Sequence, residues 1–260
     1  MSGETPRPKS HGRLSMQASL QPRDLMADVV VKGAWAAQVI TLFPDAFPGV
    51  LGQSLTGRAL DLGLWRLTAI DLRTFGIGKH RNVDDTPAGG GAGMVLRADV
   101  VDAALGAAGQ GLPVAYLSPR GRRFDQAMAR DWAAGPGVTL LCGRFEGVDQ
   151  RVLDHHGIAE VSLGDFVLTG GEIAAQAMLD ATVRLLPGVL GNQASTEEES
   201  FSHGLLEFPQ FTRPTVWEGR EIPAVLQSGN HGAIAQWRQA EAEAVTKDRR
   251  PDLWVEYKGR

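Results

Sequence analysis

Three carboxylates stand in a row in T-E-E-E-S-F, Thr196 to Phe201. Adjacent like charges repel one another and resist desolvation, so such a run ordinarily marks a solvated connector. Carried into a cleft, one of them could instead accept a proton. A second chemistry is suggested by three glycine-bearing segments, each following a short apolar run: S-P-R-G (Ser118 to Gly121), G-R-F-E-G (Gly143 to Gly147) and G-D-F-V-L-T-G-G-E (Gly164 to Glu172). Glycine and proline there let backbone amides and carbonyls face a ligand with no side chain intruding. Any one of these segments alone reads as a tight turn. Three at successive strand ends, where open α/β sheets bind ligands, could clasp a flat heterocycle and a ribose.

Other chemistries are disfavoured. G-x-G-x-x-G does not occur, and neither G-I-G-K-H (Gly76 to His80) nor G-G-G-A-G (Gly89 to Gly93) fits a phosphate loop, which argues against a dinucleotide or triphosphate. A nucleophile elbow and H-E-x-x-H are also missing, no metal site is expected, and His155 and His156, adjacent on a helix, should point apart. The lone Cys142 reads as a packed small hydrophobe in a strand rather than a nucleophile. One cysteine permits no internal disulfide, which fits a reducing compartment and a cytoplasmic location. The net charge of -4 gives no overall basic footprint, so a polyanion would have to be met by local clusters. No apolar run approaches the roughly 20 residues needed to span a bilayer, so no membrane partner is expected.

The elements that must position these residues follow from the apolar patterning. Strands are predicted at Ala36 to Phe43, Leu67 to Leu72, Pro113 to Ser118, Val138 to Cys142 and Ile158 to Leu163, and helices at Phe47 to Leu62, Asp99 to Ala108, Asp125 to Ala134, Val148 to His155 and Glu172 to Leu186. Strand and helix alternating in this way define an α/β domain with a mostly parallel sheet, over residues 36–190. The Gly-rich stretch Thr74 to Leu96 is too long for a simple connection and reads as a functional loop. Residues 1–35 are polar and lack a secretory apolar core, as expected of a disordered extension. Residues 191–204 read as an interdomain linker, and 205–260, with a helix from Gly232 to about Val245, as a small helical domain.

Beyond residue 36 the chain resembles the TrmD family, bacterial tRNA (guanine-N1)-methyltransferases of the SPOUT superfamily. The resemblance is carried by I-T-L-F-P-D-A-F, H-R-N-V-D-D-T-P-A-G-G-G-A-G-M, Y-L-S-P-R-G, L-C-G-R-F-E-G-V-D-Q-R, S-L-G-D-F-V-L-T-G-G-E, P-G-V-L-G, L-E-F-P-Q-F-T-R-P-T-V-W-E-G and S-G-N-H-G-A-I-A-Q-W-R, in order. It implies a deep trefoil knot in the α/β domain, a homodimer with active sites between subunits, S-adenosylmethionine as methyl donor, and tRNA as substrate. Mg2+ is a further cofactor the resemblance leaves open. By the match, the donor site is lined by Tyr116, Leu117, Ser118 and Pro119, by Gly143 and Glu146, and by Leu163, Gly164, Phe166, Leu168, Gly170 and Gly171.

The acceptor implied is the ring nitrogen of the guanosine just 3′ of the anticodon. A ring nitrogen that bears a proton is a poor nucleophile, so the proton must leave as the bond forms; a carboxylate suits that role, a guanidinium could stabilise charge on the neighbouring carbonyl oxygen, and the resemblance implies both. Arg184 matches the family's arginine; the position usually held by aspartate falls on Glu199, or on Glu198 if the linker slips by one residue. His80, Arg81 and Asp84 fall on the substrate side, and Arg213, Arg220, His231, Trp237 and Arg238 are candidates for phosphate contact or stacking, with Trp237 equally suited to helix core. Two alternatives are a SPOUT ribose methyltransferase, with less need of a carboxylate base, and a non-catalytic RNA-binding module on the same fold.

Overall fold

The structure, a computed structural model, describes residues 33–109, 111–191 and 199–259; Glu198 and most of the N-terminal extension lie outside them. Five strands, β1 (Trp35–Thr41), β2 (Trp65–Asp71), β5 (Val114–Arg123), β6 (Gly137–Cys142) and β7 (Ala159–Ser162), form one sheet in the order β2-β1-β6-β5-β7, every pairing parallel. β6 is buried along its whole length and β1 nearly so, which is why both read as unbroken apolar runs without alternation.

Neighbouring residues on these strands serve opposite faces. Val39 and Leu140 join Trp65, Met178 and Leu179 in one core, beneath α1 (Ser54–Asp61), α3 (Gln126–Ala134) and α5 (Glu172–Val183). Ile40 and Leu141 join Val101, Leu105, Val152 and Leu153 in the other, beneath α2 (Ala98–Ala108) and α4 (Gln150–His156). Each fully buried aliphatic side chain contributes about 1.5–3 kcal/mol, so both layers hold the sheet firmly. The predicted α/β class with a mostly parallel sheet is what forms.

Several boundaries differ from the sequence reading. β5 does not end near Ser118: Leu117 and Arg122 both pair with Val161, so Ser118 to Gly121 leave the ladder as a four-residue excursion and the strand resumes. Gly121 permits the return, since a Cβ there would stand 2.3 Å from the Val161 backbone nitrogen. α5 stops at Val183, because Leu185 and Leu186 bond back three residues to Thr182 and Val183, which tightens the last turn and leaves Arg184 at the helix end. Inside the long Gly-rich loop, β3 (Asp84–Asp85) pairs antiparallel with β4 (Val95–Leu96). His155 and His156 do not point apart: they close α4 just before the left-handed Gly157, and their rings meet edge to face with centroids 4.9 Å apart.

Beyond residue 199 the chain forms a two-residue hairpin, β8 (Val216–Trp217) with β9 (Arg220–Glu221), then α6 (His231–Arg249) and α7 (Pro251–Lys258). α6 is longer than predicted and α7 is additional. Asn230 caps α6 by accepting from the Ala233 amide, and Pro251 opens α7 at a position where no helical amide donor is needed. Among the described residues, no helix is long and apolar enough to cross a membrane.

Candidate functional site

The three glycine-bearing segments converge at the carboxyl ends of β5, β6 and β7 around one cavity of about 360 Å3, and all twelve residues expected at the donor site line it. β5 supplies Tyr116, 5 % exposed, whose ring lies against Gly143: a Cβ at that glycine would sit 2.8 Å from the phenol oxygen. Burial raises the Tyr116 phenol above its ordinary pKa, so it stays neutral near pH 7. The third segment is pulled onto the second by the Gly171 amide, which donates to the Gly143 carbonyl at 3.0 Å. A Cβ at Gly171 would fall 2.8 Å from the Cys142 Cα, so the two chain segments touch through bare backbone. Ser162 braces the start of the third segment, its hydroxyl donating to the Gly164 carbonyl at 3.0 Å.

The long Gly-rich loop ends on the same rim. The Glu146 amide donates to the Met94 carbonyl at 2.9 Å and the Leu96 amide to the Gly147 carbonyl at 2.9 Å. Its other candidates stand apart: His80 and Arg81 are on an exposed turn and Asp84 is on β3, and none of the three lines the cavity.

Behind the third segment lies a charged group that the sequence reading passed over. Glu172 opens α5 with only 4 % exposure, accepts the Thr41 hydroxyl at 2.7 Å and faces Arg144 Nη2 at 2.9 Å. Arg144 in turn donates to the Thr169 carbonyl at 3.2 Å and lies over the Phe43 ring, 4.3 Å from its centroid. The signal was present, since Arg144 and Glu172 are oppositely charged residues inside two of the quoted motifs. Cys142, fully buried beside this pair, has its thiol pushed well above the usual range, chiefly by burial and then by Glu172; it packs as a small hydrophobe.

At the end of α5, Arg184 and Glu199 form a two-pronged pair, Nη1 to Oε1 at 2.8 Å and Nη2 to Oε2 at 2.6 Å. The hydrogen bond to Glu199 raises the guanidinium pKa further, so Arg184 is charged throughout the accessible range. α3 supports the same segment: Gln126 Nε2 approaches Glu199 Oε1 at 3.4 Å, and Arg130 Nη2 donates to the Ser202 hydroxyl at 3.1 Å. Neither α3 residue was singled out in the sequence, since only the fold sets that helix beside the connector. Glu199, His231 and Arg238 line a second cleft of about 380 Å3, distinct from the first. Trp237 lies half-buried, edge-on to Phe208 and Phe211, and Arg238 lies over Phe208; Arg213 is exposed and lines neither cleft.

A parallel sheet whose glycine segments enclose a pocket beyond its strand ends, with a paired arginine and carboxylate at the end of the covering helix, defines an α/β protein with a small-molecule site at the carboxyl edge of the sheet. Residues 36–256 match the family model described as tRNA (Guanine-1)-methyltransferase TrmD, and the chain belongs to that family. It is 71% identical over 235 residues to the tRNA (guanine-N(1)-)-methyltransferase of Cereibacter sphaeroides, covering 88% of this chain and 94% of that protein. It is 69% identical over 232 residues to the same-named protein of Ruegeria sp. (88% and 95% covered), and 59% over 229 residues to that of Gluconobacter oxydans (87% and 98%).

Proposed function

We propose that this chain transfers a methyl group from S-adenosylmethionine to N1 of the guanosine immediately 3′ of the anticodon in tRNA. The observation that carries the reading is the Arg184–Glu199 pair. Glu199 takes the ring proton, and Arg184 stabilises the charge that builds on the guanine carbonyl oxygen. The pairing sets both groups side by side, and a guanine edge offering one N–H donor and one carbonyl acceptor would replace one partner of each. Glu keeps the carboxylate chemistry of the family's usual aspartate with one methylene more of reach.

The pocket fits the donor. Its volume of about 360 Å3 lies in the range of small-molecule sites, and Gly143 leaves clear the space that any side chain would take against Tyr116. When bound, S-adenosylmethionine supplies a methyl group made electrophilic by its sulfonium. Tyr116 to Pro119, Gly143, Glu146, Leu163, Gly164, Phe166, Leu168, Gly170 and Gly171 would hold it, with backbone groups reading its polar edges. Among the described residues, the His, Cys, Asp and Glu groups around this pocket form no three-membered cluster that could share an ion, so no step is assigned to Mg2+.

We also infer a deep trefoil knot in residues 36–190, a linker over 191–204 and a tRNA-binding helical domain over 205–260. The close crossing of Gly171 over Cys142 favours the knot. A homodimer is supported by the exposed Val167 and Ile173, in and directly after the third pocket segment, apolar side chains a second copy would cover. Arg213, Arg220, His231 and Arg238 are assigned to phosphate contact, His80, Arg81 and Asp84 to the nucleotide, and the enzyme to the cytoplasm, where tRNA is modified.

The deciding experiment incubates unmodified tRNA with labelled S-adenosylmethionine and maps the product. Base methylation at the guanosine 3′ of the anticodon, lost when that base is adenine, is expected. Ribose methylation would replace the reading with a ribose methyltransferase, and unmodified RNA that still binds would leave a non-catalytic RNA-binding module.

A further inference from the structure

On the opposite layer from α5, two helices far apart in sequence bring three metal-ligating side chains together. Asp102 projects from the middle of α2, while His155 and His156 end α4. The two helices share one core through Val101, Leu105, Val152 and Leu153, which fixes their spacing. His156 Nε2 stands 2.6 Å from Asp102 Oδ1, and one ligand atom from each of the three residues lies within 4.8 Å of the others.

We propose that Asp102, His155 and His156 form a site for a divalent transition-metal ion of the zinc type, clipping α2 to α4. Two imidazoles with one carboxylate suit zinc, cobalt or nickel and do not suit magnesium or calcium, which prefer all-oxygen shells. Around a tetrahedral ion with arms of about 2.0–2.2 Å, ligand atoms lie roughly 3.3–3.5 Å apart. The cluster reaches that by opening the His156–Asp102 contact slightly and swinging His155 inward, rotations available to exposed side chains. The neighbouring carboxylates have partners of their own: Asp99 is held by Arg97 and Asp149 by Arg151, each at 2.7 Å, and Asp154 accepts the Gln150 side-chain amide at 2.8 Å. Asp102 faces the imidazoles instead. All three residues are exposed, so an ion can enter and keep water in its remaining position. α4 follows directly on the Gly143 to Val148 segment that lines the donor pocket, and the clip would tie down the far end of that helix.

The test uses the full-length, tag-free chain stripped with a chelator and dialysed. Zn2+ is titrated in competition with a chromophoric chelator, Co2+ is followed by visible absorption, and Tm is read with and without Zn2+. The expected result is one ion per chain, intense Co2+ bands of low coordination number, and a Zn2+-dependent rise in Tm. His155→Ala, His156→Ala and Asp102→Asn should each weaken binding by about tenfold or more and abolish the rise in Tm. The far-ultraviolet circular dichroism of each variant should match the parent. Affinity unchanged in all three variants would place the ion on other histidines, such as His80, His203 or His231, and overturn the proposal. Unchanged affinity in His155→Ala alone would remove His155 from the ligand set and overturn the three-residue site, and failure of the parent to bind would dispose of it altogether.

Discussion

Arg184 and Glu199, fifteen positions apart in the chain, face each other through two parallel hydrogen bonds of 2.8 and 2.6 Å at the C-terminal end of α5. A bidentate pair of this kind fixes both orientation and distance, which a single contact does not. It gives one glutamate of an acidic run a partner that sets it apart from an ordinary solvated charge.

Replacing Glu199 with Gln should lower methyl transfer to tRNA by about 10²–10⁴-fold, the usual contribution of a positioned general base. S-adenosylmethionine affinity should stay within a few-fold, because Glu199 does not line the donor pocket. Glu199→Asp, which restores a carboxylate, should recover much of the rate. Full activity in Glu199→Gln, measured in single-turnover assays, would move the base elsewhere.

Gly143→Ala places a methyl group 2.8 Å from the Tyr116 hydroxyl, closer than any Cβ sits in practice. Tyr116 itself lines the cavity, so a ring pushed aside by the methyl group moves into the donor space and the pocket narrows. Calorimetric titration should show donor binding weakened by about tenfold or more, with the urea midpoint much less affected. Parent-like binding would mean that this wall of the pocket does not meet the ligand.

The buried Glu172 carboxylate depends on two partners, Thr41 and Arg144. Thr41→Val should cost about 1–3 kcal/mol by removing a hydrogen bond to a buried acceptor. Arg144→Met should cost roughly 3 kcal/mol because it leaves the charge uncompensated. Adding Glu172→Gln to Arg144→Met should recover part of the second loss, which urea unfolding of the three variants would read directly.

Cys142 sets a pH dependence whose sign follows from burial. Its folded thiol ionises only well above the ordinary range, whereas the unfolded thiol ionises near pH 8.5. Above that pH the unfolded chain therefore holds fewer protons, and stability falls with rising pH by up to about 1.4 kcal/mol per unit from this one group. The stability curves of the parent and Cys142→Ala should run parallel below pH 8 and diverge toward pH 10, the parent losing more. Parallel curves throughout would show the thiol ionising freely in the fold.

The assigned arginines of the C-terminal part should make tRNA affinity fall steeply with salt, and Arg213→Ala with Arg220→Ala should flatten the slope. A filter-binding series from low to moderate salt measures both, and an equal slope in parent and variant would remove these residues from the phosphate contacts.

The strands were legible because a parallel sheet covered on both faces demands unbroken apolar segments, and Val138 to Cys142 or Ala36 to Thr41 can be little else. Helix starts were legible where a capping side chain announced them, as at Asp125. The excursion at Ser118 to Gly121 was not, because the sequence shows a turn there but not that the strand resumes its pairing with β7 afterwards. The short end of α5 was missed because apolar periodicity continues through Leu185 and Leu186 while the backbone tightens beneath it.

The sequence by itself determined the fold class, the family and the identity of the glycine segments, since these rest on local pattern and on order along the chain. Only the tertiary structure decided which charges meet. Nothing in T-E-E-E-S-F distinguishes Glu199 as the partner of Arg184, and nothing in the motifs announces that Glu172 is enclosed by Thr41 and Arg144, or that Asp102 faces two histidines more than fifty residues away. Electrostatic pairing depends on distances of a few ångströms between elements remote in sequence, and those distances are set by how the sheet and its two helical layers pack.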